Sequence, residues 1–336
     1  MTTYKNIKGI EIKYLSADPP APTVGQVWYN STSKVVKGAI NGVGAWSSGG
    51  ALNTTRTNLV GFGTLSAGVV AGGNPITNAT ENYNGTSWTS SGNMPYSKEG
   101  AMAFGIQTAG VIMGGNPAVT TSAEYNGTAW TAGNNANSAG TSGQGFGSLT
   151  AGVIASRAAS GGGPTPSVVE EYDGTSWSEV NEVNTGRAGY ERSSSGPQTA
   201  GIIFGGGVDG SGVTGVVESY DGTSWTEIAD VNTARQEGGG FGLQSDAIFA
   251  GGANPGGIVA LTENWNGTSW TELADQATAT AYMGSAGGTG SSGFVAGGQR
   301  PGNVNATEEW AFSGIPPTSP VADYTDTIVG QLYYNT

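Results

Sequence analysis

Short apolar runs that end in glycine recur along the middle of the chain. Each run is made of small and branched apolar residues and is followed by a polar stretch. The six runs read AGVVAGG, AGVIMGG, AGVIASR, AGIIFGG, DAIFAGG and SGFVAGG, and all but the third end in a glycine pair. Apolar runs of this length bounded by glycine predict buried β-strands, and no segment shows the spacing of an amphipathic helix. The pattern therefore predicts an all-β chain.

A second motif follows most of these runs. The stretch ENYNGTSW at residues 81–88 returns as AEYNGTAW, EEYDGTSW, ESYDGTSW and ENWNGTSW. Asn-Gly or Asp-Gly between two short strands favours a two-residue hairpin turn. We therefore expect Tyr83 to lie opposite Thr86, and Glu81 opposite Trp88. The aromatic residues would share one face of the hairpin and pack neighbouring sheets together.

The tryptophan that closes the motif sets the period of the repeat. Successive tryptophans lie 42 to 48 residues apart, which is typical of the four-stranded blades of a β-propeller. Trp46 has no apolar run before it, and the unit of Trp310 has no outer strand after it. We expect the strand around Trp46 to complete the blade of Trp310, which would close the ring and leave no open end.

Glycine pairs after the second strand of a unit, a glutamate two residues before tyrosine and the following tryptophan resemble the kelch repeat. The resemblance covers residues 46–312 and implies a six-bladed kelch-like β-propeller with short β segments at both termini. The third unit departs from the pattern, with ASRAASGGG in place of Gly-Gly. The expected domains are an N-terminal hairpin and attachment segment at 1–38, the propeller at 39–314, and a C-terminal strand segment at 315–336.

The two terminal segments share a motif of their own. ADPPAPTVGQVWYN at residues 17–30 matches ADYTDTIVGQLYYN at residues 322–335. The first copy continues into a predicted hairpin, whereas the second ends as an edge that would recruit a partner. We expect residues 322–336 to pair with residues 17–38 of the same chain or of a neighbouring subunit. The aromatic residues expected to mediate this assembly are Trp28, Tyr29, Tyr333 and Tyr334.

Composition excludes several kinds of chemistry. The chain of 336 residues has no cysteine and no histidine, so disulfides, thiolate metal sites and Ser-His-Asp triads are excluded. Kelch-type propellers include galactose-oxidase-like copper enzymes, whose metal site needs histidine ligands and a cysteine-linked tyrosine. This copper chemistry is therefore also excluded. Carboxylate pairs for glycoside hydrolysis remain, but a glutamate that recurs with the repeat serves the repeat first. We expect no enzymatic activity and no cofactor.

Charge is spread unevenly along the chain. The net charge is −13, yet residues 1–38 hold five of the six lysines. An acidic body argues against nucleic-acid binding, and the basic arm is either solvated chain or a docking segment for an acidic partner. We also expect no signal peptide and no membrane-spanning segment, and therefore a protein that is made and kept soluble.

Charged residues also recur with the repeat. A glutamate lies seven residues before most of the tryptophans, and a basic residue lies ten after many of them. A carboxylate on a buried face needs a partner, so we expect a structural ring of ion pairs between adjacent blades. Ala123 and Gly140 would replace both members of one pair, which favours this register. The expected pairs are Glu81 with Lys98, Glu170 with Arg187, Glu218 with Arg235, and Glu308 with Arg56.

Loop diversity indicates where binding would occur. The connections after the second strands differ in every unit, whereas the remaining turns are nearly uniform. Variable loops on a rigid scaffold usually carry recognition, although loops also vary where nothing contacts them. The side chains expected to face a ligand are Arg157, Tyr190, Arg192, Asp209 and Arg300.

The terminal motif beside the tryptophan-rich repeats resembles virion and tail-fibre proteins of marine phages. This resemblance implies a virion structural protein, made in the host cytoplasm, that works by assembly with other virion proteins and by binding a glycan or protein of the host surface. The alternative is a free carbohydrate-binding or protein-binding propeller of a bacterium, and a hydrolase is a third reading.

Overall fold

A computed structural model describes residues 13–16, 27–32, 34–38, 44–157, 167–187, 194–208 and 212–311. The chain divides into two compact units. One comprises Met1–Val43 with Phe312–Thr336, and the other comprises Gly44–Ala311. Every regular element in the described residues is a β-strand.

The described part of the terminal unit is a three-stranded sheet. Strand β1 (Lys13–Leu15) pairs in parallel with β2 (Val27–Asn30), which pairs antiparallel with β3 (Val35–Gly38). Trp28 lies opposite Lys37 in this hairpin, so the hairpin predicted for the first terminal motif is confirmed. The pairing expected for residues 322–336, with Tyr333 and Tyr334, lies outside the described residues.

The larger unit is a six-bladed β-propeller, each blade being a four-stranded antiparallel sheet. We number the blades 1 to 6 in the order in which their inner strands occur along the chain. The inner strands are β5 (Val60–Thr64), β9 (Met102–Ile106), β13 (Gln144–Ser148), β17 (Ser194–Ser195), β23 (Gly239–Leu243) and β29 (Gly284–Thr289). The second strands are β6 (Ala67–Ala71), β10 (Ala109–Met113), β14 (Ala151–Ala155), β18 (Gly201–Phe204), β24 (Asp246–Ala250) and β30 (Ser292–Ala296).

The outer half of each blade carries the repeated aromatic motif. The third strands are β7 (Thr80–Tyr83), β11 (Ser122–Tyr125), β15 (Val169–Tyr172), β21 (Val217–Tyr220), β27 (Thr262–Trp265) and β31 (Thr307–Ala311). The outer strands are β8 (Trp88–Ser90), β12 (Trp130–Ala132), β16 (Trp177–Val180), β22 (Trp225–Ile228), β28 (Trp270–Glu272) and, for blade 6, β4 (Ala45–Ser48). Strand β4 pairs with β31, with Trp46 opposite Trp310, so the predicted closure is confirmed.

The inner strands contact one another in cyclic order, from β5 through β29 and back to β5. Their glycines allow this close approach. A Cβ atom on Gly61 would lie 2.6 Å from the backbone nitrogen of Ser285 in blade 6, and one on Gly145 would lie 2.7 Å from the carbonyl oxygen of Ala103 in blade 2. Side chains at these positions would push the blades apart, so the glycine-rich inner strands are a requirement of the ring.

Phenylalanine side chains join neighbouring blades. The ring of Phe62 occupies the space that a side chain on Gly110 of blade 2 would need, and its centroid lies 6.5 Å from that of Tyr125 and 6.2 Å from that of Trp130. Each aromatic ring buries about 150–250 Å², so these contacts supply much of the apolar core. Blades 2, 3 and 5 repeat the arrangement, with Phe104 on Gly152, Phe146 on Gly201 and Phe241 on Gly293.

The hairpin at the end of each blade differs from the prediction. Tyr83 pairs with Trp88, and their rings stack at 4.6 Å. The expected two-residue turn is therefore wrong. Asn84 Oδ1 accepts hydrogen bonds from the backbone nitrogens of Thr86 and Ser87, at 2.9 and 2.8 Å. This side-chain-closed turn is wider because asparagine and aspartate compete well for nearby backbone N–H groups.

Candidate binding face and central cavity

Strand order gives the propeller two different faces. The loops between second and third strands, together with the connections between blades, lie at one end of the sheets. We call this end the loop face; its fully described loops are residues 72–79, 114–121, 251–261 and 297–306. The turns between first and second strands and between third and fourth strands lie at the other end, which we call the turn face; in blade 1 it comprises residues 65–66 and 84–87.

Buried arginines hydrogen-bond to both ends of loops on the loop face, and we call such loops clamped. Arg56 donates from Nη1 to the carbonyl oxygens of Gly72 and Ala79, at 2.9 and 3.0 Å, and from Nη2 to Glu81 Oε1 at 2.6 Å. Gly72 and Ala79 are the two ends of the blade 1 loop, so one guanidinium closes it. Burial lowers the pKa of Arg56 while the Glu81 carboxylate opposes that shift, and the group stays charged at neutral pH.

The same arrangement holds blade 4. Arg187 donates to the carbonyl oxygens of Gly205 at 2.8 Å and Val216 at 2.6 Å, and to Glu218 at 2.7 Å. The side chains of Arg187 and Glu218 are completely buried. Glu218 also accepts from the backbone nitrogen of Asn184 at 2.7 Å. The carboxylate therefore fixes the connection that leads into blade 4, and the arginine fixes both ends of the loop between its second and third strands.

The register of these ion pairs contradicts the prediction. In blades 1, 4 and 5 the glutamate pairs with the basic residue that precedes its blade, whereas we expected the basic residue after its own tryptophan. Arg56 therefore lies on Glu81 and not on Glu308, and Lys98 does not reach Glu81. The chain crosses to the next blade between the tryptophan and the basic residue, which places that residue beside the next glutamate. The observed pairs are Arg56–Glu81, Arg157–Glu170, Arg187–Glu218, Arg235–Glu263 and Arg300–Glu308.

Two arginines expected to face a ligand complete this set instead. Arg157 is 1 % exposed and pairs with Glu170. Arg157 lies in the loop after β14, and its side chain occupies the space beside Gly140, since a Cβ atom on Gly140 would lie 2.6 Å from Arg157 Cγ. Gly140 stands at the repeat position where the chain before blades 1, 4 and 5 has an arginine, so Arg157 supplies the cation that this position lacks. Arg300 pairs with Glu308 at 3.0 Å and donates to Thr280 Oγ1 at 2.8 Å. A buried carboxylate needs a cation nearby, whichever part of the chain supplies it.

Blade 2 is built without the carboxylate. Ala123 stands in the glutamate position, and Lys98, which is 7 % exposed, donates to Thr121 Oγ1 at 2.6 Å. Burial lowers the pKa of Lys98 to about 8. Pro95 occupies the position where Asn53 of blade 1 donates its backbone N–H to a glutamate. Proline has no N–H to satisfy, so Pro95 together with Ala123 is the sequence signal that would have indicated the correct register.

Hydrogen bonds between blades come from residues that the sequence analysis did not select. The residue just before the third-strand aromatic accepts from a tyrosine hydroxyl of the next blade. Tyr220 donates to Glu171 at 2.9 Å, and Tyr83 donates to Glu309. Burial, and secondly this hydrogen bond, raises the pKa of Tyr83 to about 12. These polar contacts link the third strands of blades 6, 1, 2, 3 and 4.

Three of the residues expected to face a ligand, Tyr190, Arg192 and Asp209, lie outside the described residues. Of the described assembly residues, Trp28 lies on β2 and Tyr29 is half-buried in the terminal unit. On the described part of the loop face, Ile76 is 51 % exposed, which makes it the most exposed large apolar side chain there.

A series of backbone hydrogen bonds connects blades 5, 6, 1, 2 and 3 on the loop face. Five residues that precede inner strands have φ between 55° and 64°, a strained conformation for residues other than glycine. In four of them the N–H group donates to the equivalent residue of the preceding blade, for example Asn58 to Tyr282 at 3.0 Å and Ser142 to Gly100 at 2.7 Å. The five positions are Asn58, Gly100, Ser142, Glu237 and Tyr282.

A cavity of about 470 Å³ lies along the inner strands and reaches the turn face. Its described lining consists of glycines, small apolar residues and hydroxyl side chains such as Thr64, Ser148 and Ser195. Ser195 Oγ is buried without a hydrogen-bond partner. Ile106 and Leu243 line the cavity from blades 2 and 5 and are 55 % and 38 % exposed. These groups suit an uncharged ligand that exchanges hydrogen bonds with hydroxyl and backbone groups.

The chain is a six-bladed β-propeller, and buried arginines hydrogen-bond to both ends of its loops in blades 1 and 4. No protein-family model matches the sequence, and no curated protein matches it. Among solved structures, the chain is similar to one titled "Structure of YjhT", with a TM-score of 0.63 and 15% sequence identity. The similarity covers 76% of this chain and 95% of that one, and at this identity it establishes the fold.

The part of the chain that the structure describes contains no helix that is long and apolar enough to cross a membrane. Within those same residues, no three aspartate or glutamate side chains come together in a way that could hold a metal ion.

Proposed function

We propose that this chain is a structural component of a phage virion, a tail fibre or another surface appendage, which acts by assembly and by binding the host surface. The observation that supports the binding role is the contrast between the two faces of the propeller. The resemblance of the repeated terminal motif to phage virion proteins supports the setting. The proposed binding surface is the loop face.

The loop face combines variation with rigidity. In blade 4 the loop contains a short hairpin of β19 (Gly207–Val208) and β20 (Gly212–Val213), and in blade 5 one of β25 (Ala253–Asn254) and β26 (Gly257–Ile258). Blade 1 has no hairpin and presents Ile76. Buried arginines hold the roots of these different loops. A preorganised surface loses little conformational entropy on binding, so these loops are suited to recognition.

Side chains on the turn face form hydrogen bonds that link neighbouring blades. Gln107 Nε2 donates to the carbonyl oxygens of Gly68 and Tyr83, at 2.9 and 3.1 Å, which links blade 2 to blade 1. Gln244 Nε2 links blade 5 to blade 4 in the same way, at 3.0 Å to both Gly201 and Tyr220. The uniformity of these turns therefore has a structural cause, and the loop face is left as the variable surface.

Two measurements test the proposal. Mass spectrometry of purified virions is expected to detect this chain, and purified protein is expected to block virion adsorption to host cells. Ile76→Arg on the loop face should raise the concentration needed for half-maximal blocking by about tenfold, because a charge would enter an apolar contact. Ile106→Arg is the matched control, since Ile106 is similarly exposed on the turn face.

The outcomes separate the candidates. Absence of the chain from virions would refute the virion role. If both arginine variants block adsorption as well as the unchanged protein, the loop face is not the binding surface. The alternative, a free carbohydrate-binding or protein-binding propeller of a bacterium, is favoured by the uncharged cavity. It predicts that Ile106→Arg, at the cavity, weakens ligand binding while Ile76→Arg does not.

A further inference from the structure

The outer rim of the propeller is divided into a neutral half and an acidic half. Each outer strand contains one tryptophan, which we call the rim tryptophan: Trp46, Trp88, Trp130, Trp177, Trp225 and Trp270. The division appears at two positions of the repeat, the second and the fifth residue after the rim tryptophan. All twelve side chains at these positions are exposed. In blades 6, 1 and 2 they are uncharged: Ser48, Ser90, Ala132, Ala51, Asn93 and Asn135. In blades 3, 4 and 5 every one is a carboxylate: Glu179, Glu227, Glu272, Glu182, Asp230 and Asp275.

The two halves are contiguous, because the blades follow one another in the order 6, 1, 2, 3, 4, 5 around the ring. We call the outer strands β4, β8 and β12, with their following residues up to Ala51, Asn93 and Asn135, the neutral half-rim. The charged residues in the connections that follow β4 and β8 are buried; they are Arg56, Lys98 and Glu99. Three consecutive edge strands thus expose serine, threonine, alanine and asparagine with no charge.

Edge strands of a sheet carry backbone groups that have no partner within the sheet, and proteins commonly protect such edges with charged side chains. Blades 3, 4 and 5 have that protection at every edge, and blades 6, 1 and 2 do not. Two of the three rim tryptophans of the neutral half-rim, Trp46 and Trp130, are also only half-buried, whereas Trp177, Trp225 and Trp270 are 6–7 % exposed. The neutral half-rim therefore offers apolar surface as well as open edges.

Charge determines which partner fits this surface. The chain carries a net charge of −13, so two copies repel each other wherever their carboxylates approach. Contact through the neutral half-rims keeps the six rim carboxylates of each copy on the far sides and away from the partner. Both ends of the propeller unit, Gly44 and Ala311, also lie in blade 6. The terminal segments with their repeated strand motif are therefore joined to this half.

We propose that the neutral half-rim is the surface through which two copies of this chain associate, with the outer strands of blades 6, 1 and 2 in contact. The acidic half-rim prevents association in other orientations. The proposal concerns self-association of the purified chain, so it stands or fails independently of the virion role.

The repeat supplies a matched pair of variants for the test. The first residue after each rim tryptophan is exposed in all six blades. The test variant introduces three glutamates on the neutral half-rim, and the control introduces three glutamates at the same repeat position on the acidic half, so the net charge change is identical. The test substitutions are Ser47→Glu, Thr89→Glu and Thr131→Glu. The control substitutions are Ser178→Glu, Thr226→Glu and Thr271→Glu.

Sedimentation equilibrium of the full-length chain over a range of concentrations gives the dissociation constant, and thermal unfolding verifies that each variant is folded. We expect the unchanged chain to self-associate, the test variant to dissociate at concentrations at least about tenfold higher, and the control to stay within about twofold of the unchanged chain. A monomeric unchanged chain would overturn the proposal. Equal weakening by both variants would attribute association to net charge, and no weakening by either would attribute it to the terminal segments; both results overturn it as well.

Discussion

Replacing Glu218 by alanine tests the clamped-loop architecture directly. Glu218 accepts hydrogen bonds from Arg187 Nη2 at 2.7 Å and from the backbone nitrogens of Asn184 at 2.7 Å and Thr185 at 3.1 Å. The variant leaves a completely buried guanidinium without its carboxylate and two backbone N–H groups without an acceptor. The connection into blade 4 and its loop would both lose their anchor.

The expected cost follows from these lost contacts. Removing one partner of a buried ion pair costs about 3–5 kcal/mol, because the remaining charge is uncompensated, and each unsatisfied N–H adds about 1–3 kcal/mol unless water reaches it. Water entry on relaxation offsets part of the sum, so we expect destabilisation of about 3–5 kcal/mol. For a domain of this size each kcal/mol shifts Tm by about 2–4 °C, which gives a decrease of about 6–20 °C.

The assay is thermal unfolding followed by circular dichroism, with Glu227→Ala as the control. Glu227 lies directly opposite Glu218 on the neighbouring strand, but it is exposed. Exposed carboxylates contribute little, so the control should remain within about 0.5 kcal/mol of the unchanged protein. If the two variants unfold at the same temperature, the ion pair does not stabilise the propeller and the reasoning is wrong.

Three further predictions concern single sites. Burial lowers the pKa of Lys98 in the folded chain to about 8, so between about pH 8 and the ordinary pKa of lysine the unfolded chain binds more protons than the folded chain. The free energy of unfolding of the unchanged protein, relative to that of Lys98→Met, should therefore rise across this pH window. A constant difference would contradict the assignment. Gly110→Ala places a methyl group against the ring of Phe62 and should cost about 1–3 kcal/mol in chemical unfolding, whereas Gly302→Ala, with no atom within 4 Å, should have no effect. Glu309→Gln removes the charged acceptor of the Tyr83 hydroxyl and should lower the pKa of Tyr83 from about 12 in an ultraviolet difference titration; an unchanged titration would show that burial alone sets this pKa.

Strand pairing decided what the turn signal alone could not. Asn-Gly between two strands is compatible with a two-residue turn, but the observed turn is wider because the asparagine side chain closes it. The wider turn places Tyr83 against Trp88, which stacks their rings. Packing against the phenylalanine of the preceding blade stabilises this register, and that contact is formed only in the assembled ring.

The repeat determined the architecture by itself. A strand pattern with a period of 42 to 48 residues and a displaced first tryptophan allows few arrangements other than six blades closed by the N-terminal strand. These features are local and repeat six times, so each copy reinforces the same interpretation. The pairing of Trp46 with Trp310 follows the same logic across the ends of the ring.

Only the tertiary structure decided the partners of the charged residues. In sequence, Glu81 could pair with Arg56 or with Lys98, and the joint absence of charge at Ala123 and Gly140 favoured the wrong choice. In space, Arg157 enters from a loop to occupy the position that Gly140 leaves open. A buried carboxylate pairs with whichever cation the folded chain brings close to it. That proximity depends on how the connections between blades fold over the sheets, and the repeat period does not specify their course.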